Sequence, residues 1–260
     1  MHAAHRQLPF TVRLEWGLRG ARAVLPGAGA AVVVDTLSFS TAVSVGVEAG
    51  LAVLPFRAAP GDGGLHDAAA RLAGERGALL AAPRSLSRLS LSPTSIHAHA
   101  AASSGRELIL PSPNGSAISE HLAGHVPDLL AGTLRNAGAT ADWLGRHLPP
   151  STVVVVIAAG ERWPGGALRP ALEDQLGAGA VLAALLRAAP GRTPAQLSPE
   201  ARAAVAVFEA FRDDLPRELA ESASGRELVL RGFASDVALA AELDASRVAA
   251  HFRDGAFRAA

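Results

Sequence analysis

Asp35 closes an apolar run, Ala31 to Val34, and is followed at once by Thr36, Ser38, Ser40 and Thr41, where a helix is expected to open. A carboxylate at the end of a buried strand, facing hydroxyls and the free amides of a helix N-terminus, suits a metal ion or a phosphate. The same residue reads equally well as a helix cap that accepts backbone amides. Two other strand ends carry comparable groups. ELIL at 107–110 runs into PSPNGS, with Asn114 and Gly115 in the turn and Ser116 at a helix start, and STVVVVIA at 151–158 runs into AGER, with Glu161. Glu173 and Asp174 fall near the first turn of an apolar helix, where macrodipole complementarity alone accounts for them. In a doubly wound parallel sheet the strand ends gather along one edge, so Asp35, Asn114, Glu161, Glu173 and Asp174 are expected in one crevice. Such oxygen donors suit a hard cation, and Mg²⁺ needs only one or two carboxylates plus a substrate phosphate.

The elements that must position these groups alternate. PFTVRLEW at 9–16 reads as a half-buried strand, 31–34 as a buried one, 41–49 as a short helix ended by Gly50, 51–56 as another strand, and 66–74 as a helix. Residues 77–104 lack a clear face and are expected to form loops and a short helix. A strand at 129–134, a helix at 136–148, the long apolar helix after Ala167, a linker at 190–199 and a helix at 200–213 follow, with a last helix and strand over 224–244. The β-branched run at 151–158 shows no alternation and belongs at the centre of a sheet. The fold class is therefore α/β, a three-layer α/β/α arrangement with a mostly parallel or mixed sheet. One domain over 1–260 is expected, with an N-terminal strand region at 1–29 and a C-terminal part, 190–260, that can form a subdomain.

Composition narrows the chemistry. Of 260 residues 49% are hydrophobic and 18% charged, enough for a substantial core. Lys plus Arg and Asp plus Glu both number 24, and without a basic stripe nucleic acid is not an expected partner. The absence of cysteine removes disulfides, thiolate zinc sites and cysteine nucleophiles. The nine histidines show no paired metal spacing, and neither GAGA run is a dinucleotide fingerprint. No apolar run approaches the roughly 20 residues of a membrane span, nor does the N-terminus resemble a secretory signal, so a cytoplasmic location is expected. A homodimer is the default assembly.

Five segments in register carry a resemblance: VVVDTLSFSTAVSVGVEAG, SPNGS at 112–116, GTLRNAGATA at 132–141, IAAG followed by LEDQLGAGAVL at 172–182, and SGRELVLRGFASDVALAAELD at 224–244. Together they resemble the 2-phosphosulfolactate phosphatase (ComB) family over most of residues 30–245. The resemblance implies an α/β protein that uses Mg²⁺ to hydrolyse 2-phospho-3-sulfolactate to 3-sulfolactate and phosphate, a step towards coenzyme M. It carries Asp35, Thr41, Asn114, Gly115, Asn136, Glu173, Asp174 and Asp236 into the site, and Gly74 to Gly77 match a GERxG element that contains Arg76. On this reading Asp35, Glu173 and Asp174 are catalytic, and the metal is held by some of Asp35, Glu173, Asp174 and Asp236. The small anionic substrate would meet Ser40, Thr41, Arg76, Asn114, Gly115, Ser116 and Asn136. Asp35 is open to two roles, holding the ion or becoming phosphorylated itself.

The chain departs from the family pattern where arginines are expected, with Ser38 followed by Phe39 in the first motif and Ala117 in the second. Arg88 and Arg135 are expected to rebuild the anion site. A phosphatase for a different small phosphorylated acid, and a noncatalytic anion-binding protein of the same fold, are the alternative readings.

Overall fold

Strands β2 (Ala28–Val34) and β7 (Val153–Ala158) are buried on both faces, which explains their unbroken apolar sequences. Val32, Val34, Val154 and Val156 enter one core, while Ala31, Val33, Val155 and Ile157 enter the other. Side chains alternate across a strand, so two cores on two faces require two helical layers. A computed structural model describes residues 2–57, 64–84, 87–100, 103 and 105–260 and shows this three-layer α/β/α fold.

β1 (Val12–Trp16) pairs in parallel with β7, β7 with β2, and β2 with β6 (Asp128–Gly132). A second parallel block holds β3 (Ala52–Phe56), β5 (Glu107–Pro111) and the two-residue β4 (Leu79–Leu80). The C-terminal hairpin of β10 (Ala250–Arg253) and β11 (Ala256–Ala259) joins the blocks, giving the order β1-β7-β2-β6-β10-β11-β3-β5-β4. Three successive antiparallel pairings separate β6 from β3, so the second block runs opposite in sense to the first along the ladder.

One helical layer contains α1 (Gly17–Val24), α2 (Phe39–Glu48) and α5 (Gly115–Ala123). The other contains α6 (Ala137–His147), α7 (Leu172–Ala188) and α8 (Pro199–Phe211). The GAGA run at 177–180 has a packing reason. A Cβ on Gly177 would stand 2.6 Å from Thr36 Oγ1, and one on Gly179 would stand 2.2 Å from the Ala204 carbonyl oxygen. Two residues apart on a helix face nearly opposite ways, so the glycines seat α7 against the end of β2 and against α8. This close seating brings the first turn of α7, with Glu173 and Asp174, to the end of β2.

Helix α3 (Leu65–Arg76) and α4 (Pro93–Ala100) cover the 66–74 helix and the short helix expected within 77–104. Three regions differ from the sequence reading. Residues 17–24 form α1, an amphipathic helix of about two turns that buries Ala21, Ala23 and Val24. After the short helix α9 (Leu215–Glu221), residues 224–244 hold no strand: α10 (Ala223–Leu230) and α11 (Ala234–Ala240) occupy them. Ser222 Oγ accepts the Gly225 amide at 3.0 Å and starts α10, and Gly232 at φ +87° follows its end, so Leu228 is buried while Leu230 is exposed. The strands lie further on, at β10 and β11, where Asp254 and Gly255 both take positive φ in the connecting two-residue turn. Finally, the loop after β7 carries a small hairpin of β8 (Glu161–Arg162) and β9 (Leu168–Arg169). Among the described residues no helix is long and apolar enough to cross a membrane.

Candidate active site

Asp35 leaves β2 with its carboxylate held between two helix starts. Oδ1 accepts the Phe39 amide at 3.1 Å, at the first residue of α2, and Oδ2 accepts the Gly115 amide at 3.1 Å, at the first residue of α5. Its main chain is pinned as well: the Asp35 amide donates to Ser40 Oγ at 3.0 Å, and that hydroxyl donates to the Val33 carbonyl at 3.1 Å. Asp174, from the first turn of α7, closes the next link. Its Oδ1 accepts the Thr36 amide at 2.7 Å and its Oδ2 the Gly160 amide at 2.8 Å, tying together the ends of β2 and β7. Charge-assisted bonds of this kind fix loops in place as well as charge.

Glu161 and Glu173 complete the group. Asn114 Nδ2 donates to Glu161 Oε2 at 3.4 Å and to the Gly160 carbonyl at 3.2 Å. Glu173 is buried, and its Oε2 has no hydrogen-bond partner in the protein. Asp35, Asn114, Glu161, Glu173 and Asp174 thus meet at one edge, with Gly115 in contact.

The electrostatics reflect the crowding. Burial, then Glu161 and Glu173, push Asp35 up to about 7 against the opposing pull of the Phe39 and Gly115 amides. Asp174 is held well above the usual carboxylate range by burial and by the charges of Asp35 and Glu173. Glu161 is raised by burial and Glu173, opposed by Arg169. The charges that act on Asp35 and Asp174 are negative, and the one cation that bears on the cluster's carboxylates, Arg169, acts on Glu161, so negative charge is in excess.

Other expected site residues are engaged elsewhere. Thr41 Oγ1 donates to the Thr36 carbonyl at 2.8 Å and meets Thr133 Oγ1 at 3.0 Å. Ser116 Oγ donates to the Leu110 carbonyl and accepts the Phe56 amide. Asn136 is wholly buried, with Oδ1 on the Thr133 amide and Nδ2 on the Ala131 carbonyl. With Ser40, these side chains are spent on loop architecture, which leaves Asn114 and main-chain amides as the donors that the expected helix-start residues can offer a substrate. Arg76 lies at the end of α3 in an exposed paired contact with Glu107 at 2.7 Å, at the start of β5. Asn114 lies beyond the other end of β5, which is itself four residues from Glu107 at about 3.3 Å each, so Arg76 stands outside the cluster.

The four-carboxylate metal set is not assembled. Asp236 is fully buried, with Oδ1 accepting from Ser92 Oγ at 2.6 Å and from Thr94 Oγ1 and its amide at 2.6 and 3.2 Å. Its Oδ2 pairs with Arg84 Nε at 3.2 Å, so it anchors the segment before α4 onto α11. Among the described residues no group of three or more His, Cys, Asp or Glu side chains is disposed to hold a metal by itself. Two carboxylates, Glu161 and Glu173, the latter with a free buried oxygen, and an excess of negative charge still fit Mg²⁺, which keeps several waters.

The expected exchange of arginines is also corrected. Arg135 is buried between Glu48 and Glu242, and Arg88 is exposed. The guanidinium that meets Ser38 is that of Arg84, with Nη2 donating to Ser38 Oγ at 2.6 Å and the group lying over the Phe233 ring. No motif singled out Arg84; only the packing of Arg84, Ser92 and Thr94 on Asp236 of α11 brings it there.

A model of the 2-phosphosulpholactate phosphatase family matches residues 22–255. The chain belongs to this family. It is a phosphoric monoester hydrolase, and the matched region contains the whole carboxylate cluster together with the helix starts that hold it. Comparison with curated proteins gives no significant match.

The raised carboxylates have a consequence for stability. In the unfolded chain Asp35 releases its proton near 3.8, whereas in the folded, cation-free protein it does so near 7. The stability that it contributes is complete below the lower value and is lost as pH rises through the upper one. The melting temperature of the cation-free protein, taken relative to Asp35→Asn, is therefore expected to fall by several degrees between about pH 4 and about pH 8. Added Mg²⁺ is expected to restore it most at the alkaline end, where protons no longer compete. Thermal melts across this range check both signs; a difference that is flat with pH contradicts them.

Proposed function

We propose that this protein hydrolyses the phosphate ester of 2-phospho-3-sulfolactate with the aid of Mg²⁺, releasing 3-sulfolactate and phosphate. The family membership supports the reaction class, and the convergence of Asp35, Glu161, Glu173 and Asp174, four carboxylates against the single cation Arg169 near Glu161, carries the reading. Glu161 and Glu173, whose carboxylates are not locked by two amides, would hold the ion. When bound, Mg²⁺ supplies the positive charge that phosphoryl transfer requires at the phosphate oxygens.

The chain's own groups do the rest. The first backbone bond in α5 comes from Ile118 to the Asn114 carbonyl, so the Ser116 and Ala117 amides have no acceptor within the helix. Directed at a phosphate, they stabilise its charge without needing a side chain. Asp35, fixed by two amides and poised near neutral pH, orients the attacking water and accepts its proton. Asp174 keeps the loops after β2 and β7 in register and acts by positioning.

Rates of phosphate release over a panel of phosphorylated hydroxy acids test the proposal. The highest kcat/KM is expected for 2-phospho-3-sulfolactate. Equal values across the panel would instead favour a phosphatase for another small phosphorylated acid.

A further inference from the structure

Beside the carboxylate cluster a cavity of about 640 Å³ opens between α1 and the β8–β9 hairpin. Its lining contains three arginines, Arg19, Arg22 and Arg162, and no aspartate or glutamate. Arg19 and Arg22 stand three residues apart on α1 and therefore share a face, where two like charges oppose helix formation. Arg162 is oriented by two neutral acceptors, Asn114 Oδ1 from Nε at 3.2 Å and the Gly166 carbonyl from Nη1 at 3.2 Å. Among the described residues none of the three has an ion pair with a carboxylate, so three positive charges face one space without compensation.

We infer that this cavity is an anion seat for the non-phosphate end of the substrate, taking a carboxylate or sulfonate on Arg19, Arg22 and Arg162. The assignment rests on the phosphatase reading for the identity of the ligand, and it adds the residues that select it. Asn114 joins the two halves: its amide nitrogen donates to Glu161 and its oxygen accepts from Arg162. A small acid with a phosphate at one end and a second anion a few bonds away spans this single side chain. The acidic side then takes the cation and phosphate, and the basic side takes the remaining negative charge. Trp16 and Leu168 add apolar walls, which lower the local dielectric and strengthen recognition of charge. Guanidinium suits either anion because its planar fork donates two parallel hydrogen bonds.

The test compares wild type with R19A/R22A and, separately, with Arg162→Ala and Arg162→Lys, using two substrates and one binding probe. Because Arg19 and Arg22 are exposed, their removal leaves the core intact. The KM for 2-phospho-3-sulfolactate is expected to rise about tenfold or more relative to that for p-nitrophenyl phosphate, which lacks the second anion. Titration calorimetry with 3-sulfolactate alone should show binding to wild type that weakens by a similar factor in R19A/R22A and Arg162→Ala, with Arg162→Lys restoring part of it. Equal changes in KM for both substrates, or undiminished 3-sulfolactate binding in the variants, would overturn the seat. If wild type hydrolyses no phosphate ester, the phosphatase reading fails, while calorimetry still decides the seat: arginine-dependent binding supports it, and no binding to wild type rejects it.

Discussion

Asp35→Asn is expected to lower kcat for phosphate-ester hydrolysis about a thousandfold, within the range of a lost general base. The change keeps the size of the side chain but removes the proton acceptor, and the new NH₂ faces one of the two amides that now donate to the carboxylate, from Phe39 and Gly115. An unsatisfied donor there costs about 1–3 kcal/mol. Against that cost, the variant loses a buried charge crowded by Glu161 and Glu173, so above neutral pH the cation-free variant should melt at or above the wild-type temperature. Loss of activity with stability retained at alkaline pH distinguishes a chemical role from a helix cap. A variant that unfolds and loses activity in proportion would assign Asp35 to capping alone. Chemical trapping of a phosphorylated Asp35 during wild-type turnover would replace proton acceptance by nucleophilic attack in this account.

Gly115→Ala tests how the site is held. An added Cβ would lie 2.3 Å from both Cγ and Cδ1 of Phe39 and 2.7 Å from its Cβ. Phe39 cannot swing aside cheaply, because it is fully buried and packs edge-on to Phe257 with ring centres 6.2 Å apart. The start of α5 must shift, and the Gly115 amide then leaves Asp35 Oδ2. Overpacking of this kind costs about 2–3 kcal/mol, or a fall in Tm of roughly 5–10 °C for a chain of this size. A displacement near 1 Å at the reacting groups is expected to reduce kcat about a hundredfold. Shortening the opposing ring in F39A/G115A should recover part of the activity, since the two effects are coupled through one contact. Wild-type kinetics and Tm in G115A would show that the two helix starts are not clamped as described.

Much of this arrangement is legible in the sequence because it follows from strand ends. The β-branched run at 151–158 and the apolar run before Asp35 mark the two strands at the heart of the first parallel block, and parallel strand ends collect functional groups. The hidden parts are long-range. Whether a hydroxyl faces a ligand or its own loop depends on packing, so Thr41, Ser116 and Asn136 read as substrate contacts although their polar atoms secure the backbone. Asp236 lies in a segment that resembles the family, yet its partners, Ser92, Thr94 and Arg84, come from a serine-rich stretch without periodicity. The C-terminal hairpin carried a readable signal, Asp254-Gly255 between alternating residues, and that signal places the two strands that join the sheet's halves. Arg162 followed a legible strand end but gained its role only through Asn114 and the cavity beyond it.

We propose that the four crowded carboxylates at the sheet edge form a cation-dependent phosphatase centre. Its most direct test is phosphate release from 2-phospho-3-sulfolactate by metal-stripped protein before and after Mg²⁺ is restored, with Asp35→Asn alongside. Negligible release is expected without the cation, with recovery on its return and no recovery in Asp35→Asn. Equal wild-type rates with and without divalent cation, or full recovery in Asp35→Asn, would contradict the proposal.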